Sequence, residues 1–175
     1  MATTPNLGII KLESNLRQPE VPINTALDVI DAMFHRCSVY HNANQSVPNA
    51  AYTVLAFNSE RIDTELMHDN STNNSRITIN TAGDYVASAL VAFAAHAAGT
   101  RGIEIRLNGS TVLAAAQMEA VSEASTGTIL SLVMPPYTFA ENDYLQVLAF
   151  QSSGGALNAL AAASYSPNFG VWRVG

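Results

Sequence analysis

Gly102-Ile103-Glu104-Ile105-Arg106-Leu107-Asn108-Gly109-Ser110-Thr111-Val112-Leu113-Ala114-Ala115-Ala116-Gln117-Met118 decides the fold class. Ile103, Ile105 and Leu107 alternate with Glu104 and Arg106, the period-two pattern of a strand with one buried face. Asn108-Gly109 then supplies two residues that tolerate positive φ, as a type I′ turn requires, and a second strand-forming run follows. The segment predicts an antiparallel hairpin.

Outward from the hairpin, the text from Arg36 onward breaks into further short runs separated by turn residues. They are 38–43, 51–57, 76–80, 85–95, 128–134, 144–151 and 169–174. Together with 102–107 and 111–118 they predict an all-β sandwich or jelly roll. The Ala-rich run 86–98 has helical propensity, but Thr81-Ala82-Gly83-Asp84-Tyr85 reads as a turn feeding a strand, with no N-cap and no apolar stripe. Ser152-Ser153-Gly154-Gly155-Ala156 reads as a flexible loop, too short for an interdomain linker. Two runs, 52–57 and 144–150, are apolar on both faces. Leu145, Val147 and Ala149 take one side of the second run, and Tyr144, Leu148 and Phe150 the other. A strand in a lone sandwich has one face in water, so this pattern predicts cover from a neighbouring subunit.

Before the strands comes a different kind of text. Residues 1–22 carry Pro5, Pro19 and Pro22 among unphased apolar residues, which predicts an extended arm. From Asn24, a good N-cap, Ala26, Leu27, Ile30, Met33 and Phe34 recur at helical spacing opposite Asp28 and Asp31. A short amphipathic helix over 24–34 is expected, and a helix of that length needs a surface to lie on. The chain divides into an arm with helix over 1–36 and a β-sandwich head over 37–175.

Composition narrows the function. Only 13% of the 175 residues are charged, about half the usual share, and the net charge is −6 with eight Lys and Arg. The electrostatic term that drives nucleic-acid binding is repulsive here. Cys37 is the only cysteine, so no intrachain disulfide forms, and it reads as a small buried apolar residue. The first residues lack the basic and apolar regions of a signal peptide. The longest apolar stretch, 86–98, falls short of a membrane span, so a chain made in a reducing cytoplasm without membrane insertion is expected.

No Gly-x-Ser-x-Gly, phosphate loop, dinucleotide fingerprint, paired-Cys zinc motif or His-Glu-x-x-His occurs, and His35, His41, His68 and His96 stand in unrelated contexts. The expectation is a non-enzyme without cofactor or metal. One polar cluster, 58–69, gathers Glu60, Asp63, Glu65, Asp69 and His68. Its spacing does not match a helix–loop–helix calcium loop, and Arg61 interrupts it. It reads as a solvated connection held by local side-chain to backbone hydrogen bonds, continuing into the turn-rich Asn70-Ser71-Thr72-Asn73-Asn74-Ser75, which also suits contact with a glycan.

Several ordered segments carry a family resemblance. Val39-Tyr40-His41-Asn42, Phe57-Asn58-Ser59-Glu60 and Met67-His68-Asp69 resemble the opening of the tumour-necrosis-factor-like jelly roll in its bacteriophage version. Thr81-Ala82-Gly83-Asp84-Tyr85, Ile105-Arg106-Leu107-Asn108-Gly109, Glu141-Asn142-Asp143-Tyr144-Leu145-Gln146-Val147 and Phe169-Gly170-Val171-Trp172-Arg173-Val174-Gly175 are similar to its later strands. Thr4-Pro5-Asn6-Leu7-Gly8 and residues 21–32 resemble the start of phage tail-fibre and spike proteins.

The resemblance implies a homotrimer, preceded by a virion-docking arm. Leu7, Ile9, Ile23, Leu27 and Ile30 are its expected docking residues, and Tyr52, Tyr144, Leu148, Phe150 and Trp172 its expected trimer-interface residues. It implies a structural virion protein of a tailed phage (spike, short fibre or decoration), with capsid, neck or tail proteins and a host cell-surface glycan as partners. No shaft repeat separates arm from head, which favours a stubby particle-bound trimer over a long fibre. The alternative is a carbohydrate-binding module with no virion role.

Overall fold

A computed structural model describes residues 25, 27, 28, 30, 34–121, 127–163 and 166–175. Its twelve strands are β1 (Arg36–Tyr40), β2 (Gln45–Val47), β3 (Thr53–Val54), β4 (Ser59–Asp63), β5 (Ile77–Thr78), β6 (Gly83–Ala92), β7 (Thr100–Leu107), β8 (Thr111–Glu119), β9 (Ile129–Phe139), β10 (Tyr144–Gln151), β11 (Leu157–Ala159) and β12 (Asn168–Arg173). One sheet runs β4-β1-β12-β6-β9, and the other runs β3-β10-β7-β8 with β5 added beside β10. All described strand pairings are antiparallel, and only β7 and β8 are both consecutive and paired. The chain otherwise crosses repeatedly between the layers, which is jelly-roll topology.

The decisive hairpin forms as expected. Asn108 and Gly109 have φ of 50° and 75°, and Ile105 pairs Ala114 in the ladder. The Ala-rich run becomes β6 rather than a helix, because Ala87, Ala89 and Val91 at alternate positions fill the space between sheets. There they meet Val39, Phe57, Ile103, Ile105, Val147 and Phe169, all fully buried. Each such large apolar side chain stabilises the fold by about 1.5–3 kcal/mol. Cys37 joins this core, and burial pushes its thiol pKa up, as expected of an unreactive cysteine.

Three strands lie where sequence reasoning expected connections. β2 and β11 pair with each other over three residues, and Ala159 of β11 also bridges Phe93; both strands are too short to show a period. β4 occupies Ser59–Asp63, inside the segment read as a solvated loop, and corrects that reading. It is an edge strand whose Glu60 and Arg61 stay exposed, so it lacks an apolar alternation. The 152–156 loop is fastened rather than free. Gln151 donates to Gly155 O at 2.7 Å and accepts from Ser153 N at 2.7 Å, and Gly154 N donates to Asn49 Oδ1 at 2.7 Å.

Of the helix expected over 24–34, Thr25, Leu27, Asp28 and Ile30 have helical backbone; the rest of it apart from Phe34, and Leu7, Ile9 and Ile23, lie outside the described residues. Phe34 itself sits in a turn. The chain enters the sandwich where it also leaves it. Arg173 N donates to His35 O at 2.9 Å, Thr64 Oγ1 to Phe34 O at 3.0 Å, and Val174 N to Asp84 O at 2.7 Å. The described residues 93–99, 120–121, 127–128 and 152–156 follow or precede the other ends of these strands, at the opposite end of the sandwich.

Candidate assembly interface

Strand register sorts the outward-facing side chains of each sheet. On the first sheet, Trp172 pairs Val86, Gly170 pairs Ser88 and Asn168 pairs Leu90, while Ser88 pairs Val133 and Leu90 pairs Ser131. Paired residues share a face, so β12, β6 and β9 present these residues, with Ile129, to the outside. None is charged. Over 129–134 β9 alternates strictly, with Leu130, Leu132 and Met134 buried while Ile129 and Val133 are 53% and 70% exposed. Trp172 is seated by its neighbour on this face. A Cβ on Gly170 would stand 2.5 Å from the indole ring, so only glycine lets the ring lie across the strand.

The second sheet's outer face is built differently. Leu148 pairs Glu104 and Val54, Gln146 pairs Arg106, and Phe150 pairs Gly102. Tyr52 packs on Phe150 with ring centroids 5.0 Å apart, and Arg106 lies over Tyr52 at 5.0 Å. Arg106 also grips Glu104 through Nε and Nη2 at 2.7 Å each. Burial pushes the Tyr52 hydroxyl pKa up, and its hydrogen bond to Glu104 adds to this. Arg76 covers Tyr144 at 5.0 Å.

Four of the five expected interface residues, Tyr52, Tyr144, Leu148 and Phe150, therefore gather on the second sheet, and Trp172 lies on the first. Leu148 is only 4% exposed within the single chain. The second face of β10 is largely covered by its own chain, so its two-sided pattern does not by itself call for a neighbour. Ile129, Val133, Val86 and Leu90 were missed as outward apolar residues. The alternation of Leu130, Leu132 and Met134 with Ile129, Ser131 and Val133 was the signal, and it shows no charge on the exposed side.

The polar cluster is held by internal bonds. Asp63 accepts from Glu65, Met67 and His68 N–H at 3.1, 3.0 and 2.9 Å. His68, buried, sits 3.1 Å from Glu60, and His35, also buried, sits 3.1 Å from Glu65. Asp69 accepts from Ser71 and Thr72, which holds its carboxyl pKa below the usual range. Among the described residues no group of His, Cys, Asp and Glu is arranged to hold a metal ion.

No family model matches the sequence, and no curated protein does. Solved structures do match. Eiger TNF from S. frugiperda superimposes with a TM-score of 0.60 at 10% identity, over 81% of this chain and 93% of that one. Murine APRIL superimposes with a TM-score of 0.59 at 12% identity, over 81% of this chain and 99% of that one. The fold is a TNF-like jelly roll. At these identities the likeness concerns the backbone architecture, and the TNF-like sandwich accounts for the strand order of both sheets.

Proposed function

We propose that this TNF-like chain is a structural protein of a tailed bacteriophage virion: a homotrimeric spike, short fibre or decoration protein, docked through residues 1–36. The observation that carries its assembly is the stretch of outer face formed by Val86, Ser88 and Leu90 of β6 with Ile129, Ser131 and Val133 of β9, which bears no charge and exposes Val133 and Ile129. One-sided antiparallel sheets ordinarily turn polar residues to water, and a charge-depleted apolar face is the composition of an interface core. A second exposed apolar set, Val112 and Met118, lies on the edge strand β8. Face and edge are unlike surfaces, and a head-to-tail contact between them closes into a ring.

Support for docking through the arm comes from the N-terminal likeness to fibre and spike proteins and from where residue 34 emerges. That end also exposes Phe34 at 42% and Val174 at 47%. Ile30, an expected docking residue, is 43% exposed, and Leu27 is half-buried. The head carries no catalytic role in this reading, and a host cell-surface glycan is its outward partner.

Light scattering on the purified chain at micromolar concentration is expected to give a trimer; a monomer refutes the assembly reading. Val133→Glu, at an exposed site, should yield folded monomers with an unchanged β-type circular dichroism spectrum. Deleting residues 1–34 should leave a folded trimer that no longer joins the particle, and incorporation of the truncated protein would refute docking by the arm.

A further inference from the structure

A cavity of about 280 Å³ opens between the 66–76 segment and β5, lined among others by Leu66, Asp69, Thr72, Asn73, Arg76 and Asn80. It lies outside the assembly face, since Arg76 at its wall stacks on Tyr144 of the second sheet. Its walls are preorganised, because the Asp63 and Asp69 carboxylates each gather several donors of the loop. Asn80 Nδ2 donates to Glu65 O at 2.6 Å, and Thr78 N to Met67 O at 2.8 Å. Leu66 and Asn73 both hold φ near 53°, which non-glycine residues adopt at a cost. Such conformations persist where the surroundings impose them, often at binding sites.

The wall chemistry is that of a polyol site. The Arg76 guanidinium has no hydrogen-bond or carboxylate partner among the described residues, and stacking on Tyr144 holds it in place. Asp69 uses Oδ1 for Ser71 and Thr72 and leaves Oδ2 free. A fixed acceptor and a fixed donor thus share one cavity with Asn and Thr side chains and no net charge between Asp69 and Arg76. The largely exposed Leu66 offers an apolar wall for ring C–H groups. Drug-sized ligands fill about 300–1,000 Å³, so this volume suits one sugar ring.

We infer that this cavity binds a single neutral sugar residue of a glycan, with Asp69 accepting from and Arg76 donating to its hydroxyls. The inference does not depend on the virion reading or on trimer formation. The test is saturation-transfer NMR and calorimetry on the full chain, using methyl glycosides of common neutral hexoses and N-acetylhexosamines. At least one is expected to bind with millimolar affinity. Asp69→Asn, which keeps the oxygen that accepts from Ser71 and Thr72, and Arg76→Gln should each weaken it about tenfold or more, the scale of a charge-assisted hydrogen bond. Arg61→Gln, at an equally unpaired arginine stacked on Tyr40, should leave it unchanged. No binding by any of these glycosides, or binding that survives both cavity substitutions, overturns the inference.

Discussion

Arg101 is 0% exposed, an unusual place for a guanidinium. Among the described residues no carboxylate meets it. Nη1 donates to Ala98 O and Thr100 O at 3.1 Å each, and Nη2 to His96 O at 3.0 Å, so one cation gathers the carbonyls of the loop before β7. Arg101→Met would leave those carbonyls without donors and is expected to cost about 2–4 kcal/mol in urea unfolding, with faster amide exchange over 94–100. Gly170→Ala acts through packing instead. The new Cβ displaces the Trp172 indole, so a loss of about 1–3 kcal/mol is expected. Trp172 is the only tryptophan, so red-shifted emission reports the displacement directly. Tyr85 supplies a pH signature. Its buried hydroxyl donates to Thr81 O at 2.7 Å, and burial raises its pKa from 10.0 to about 12. A raised folded-state pKa gives stability that is complete below the unfolded value and lost as pH climbs through the folded one. Urea midpoints should therefore hold up to about pH 10 and fall toward pH 12, and Tyr85→Phe should lack that component of the fall.

At the scale of elements, the strands legible in the sequence were β1, β3, β5, β6, β7, β8, β9, β10 and β12, each overlapping a strand-forming run bounded by turn residues. The Asn108-Gly109 turn was legible because few residue pairs accept two positive φ angles in succession. Gly109→Val is expected to destabilise by about 1 kcal/mol or more, through both its φ of 75° and the approach of the Tyr144 hydroxyl, and hairpin amide exchange measures it. β2, β4 and β11 were not legible, because partners distant in sequence create them. Asn158 pairs Ser46, and Ile62 pairs Ser38. The sugar cavity was half legible. The 58–75 segment stood out as polar, but the way Asp63 folds it over β5 depends on which backbone amides turn inward, and no residue pattern encodes that.

For the whole molecule, the outward faces were the hardest to read. Aromatic and apolar size pointed to Tyr52, Phe150 and Leu148, yet these side chains cover one another and the Glu104–Arg106 pair. The plainer residues Val133, Ile129 and Leu90 stand on an uncharged stretch of the other sheet's outer face. Large side chains mark where cover is needed, and only register tells whether the same chain provides it. If the face of β12, β6 and β9 is buried between copies, amides in the central β12 should exchange more slowly in the assembled protein than in a Val133→Glu monomer. Equal rates would place the contact elsewhere.

Residues 34–36 and 173–175 lie side by side at one end of the sandwich, and the described residues 93–99, 120–121, 127–128 and 152–156 lie at the other, as its tip. Whatever is grafted onto that tip leaves residues 34–36, residues 173–175 and the core strands where they were. Insertions there are tolerated for the same reason that circular permutation tolerates adjacent ends. The fold thus separates a tip open to insertion from a base that holds residues 34–36 and 173–175.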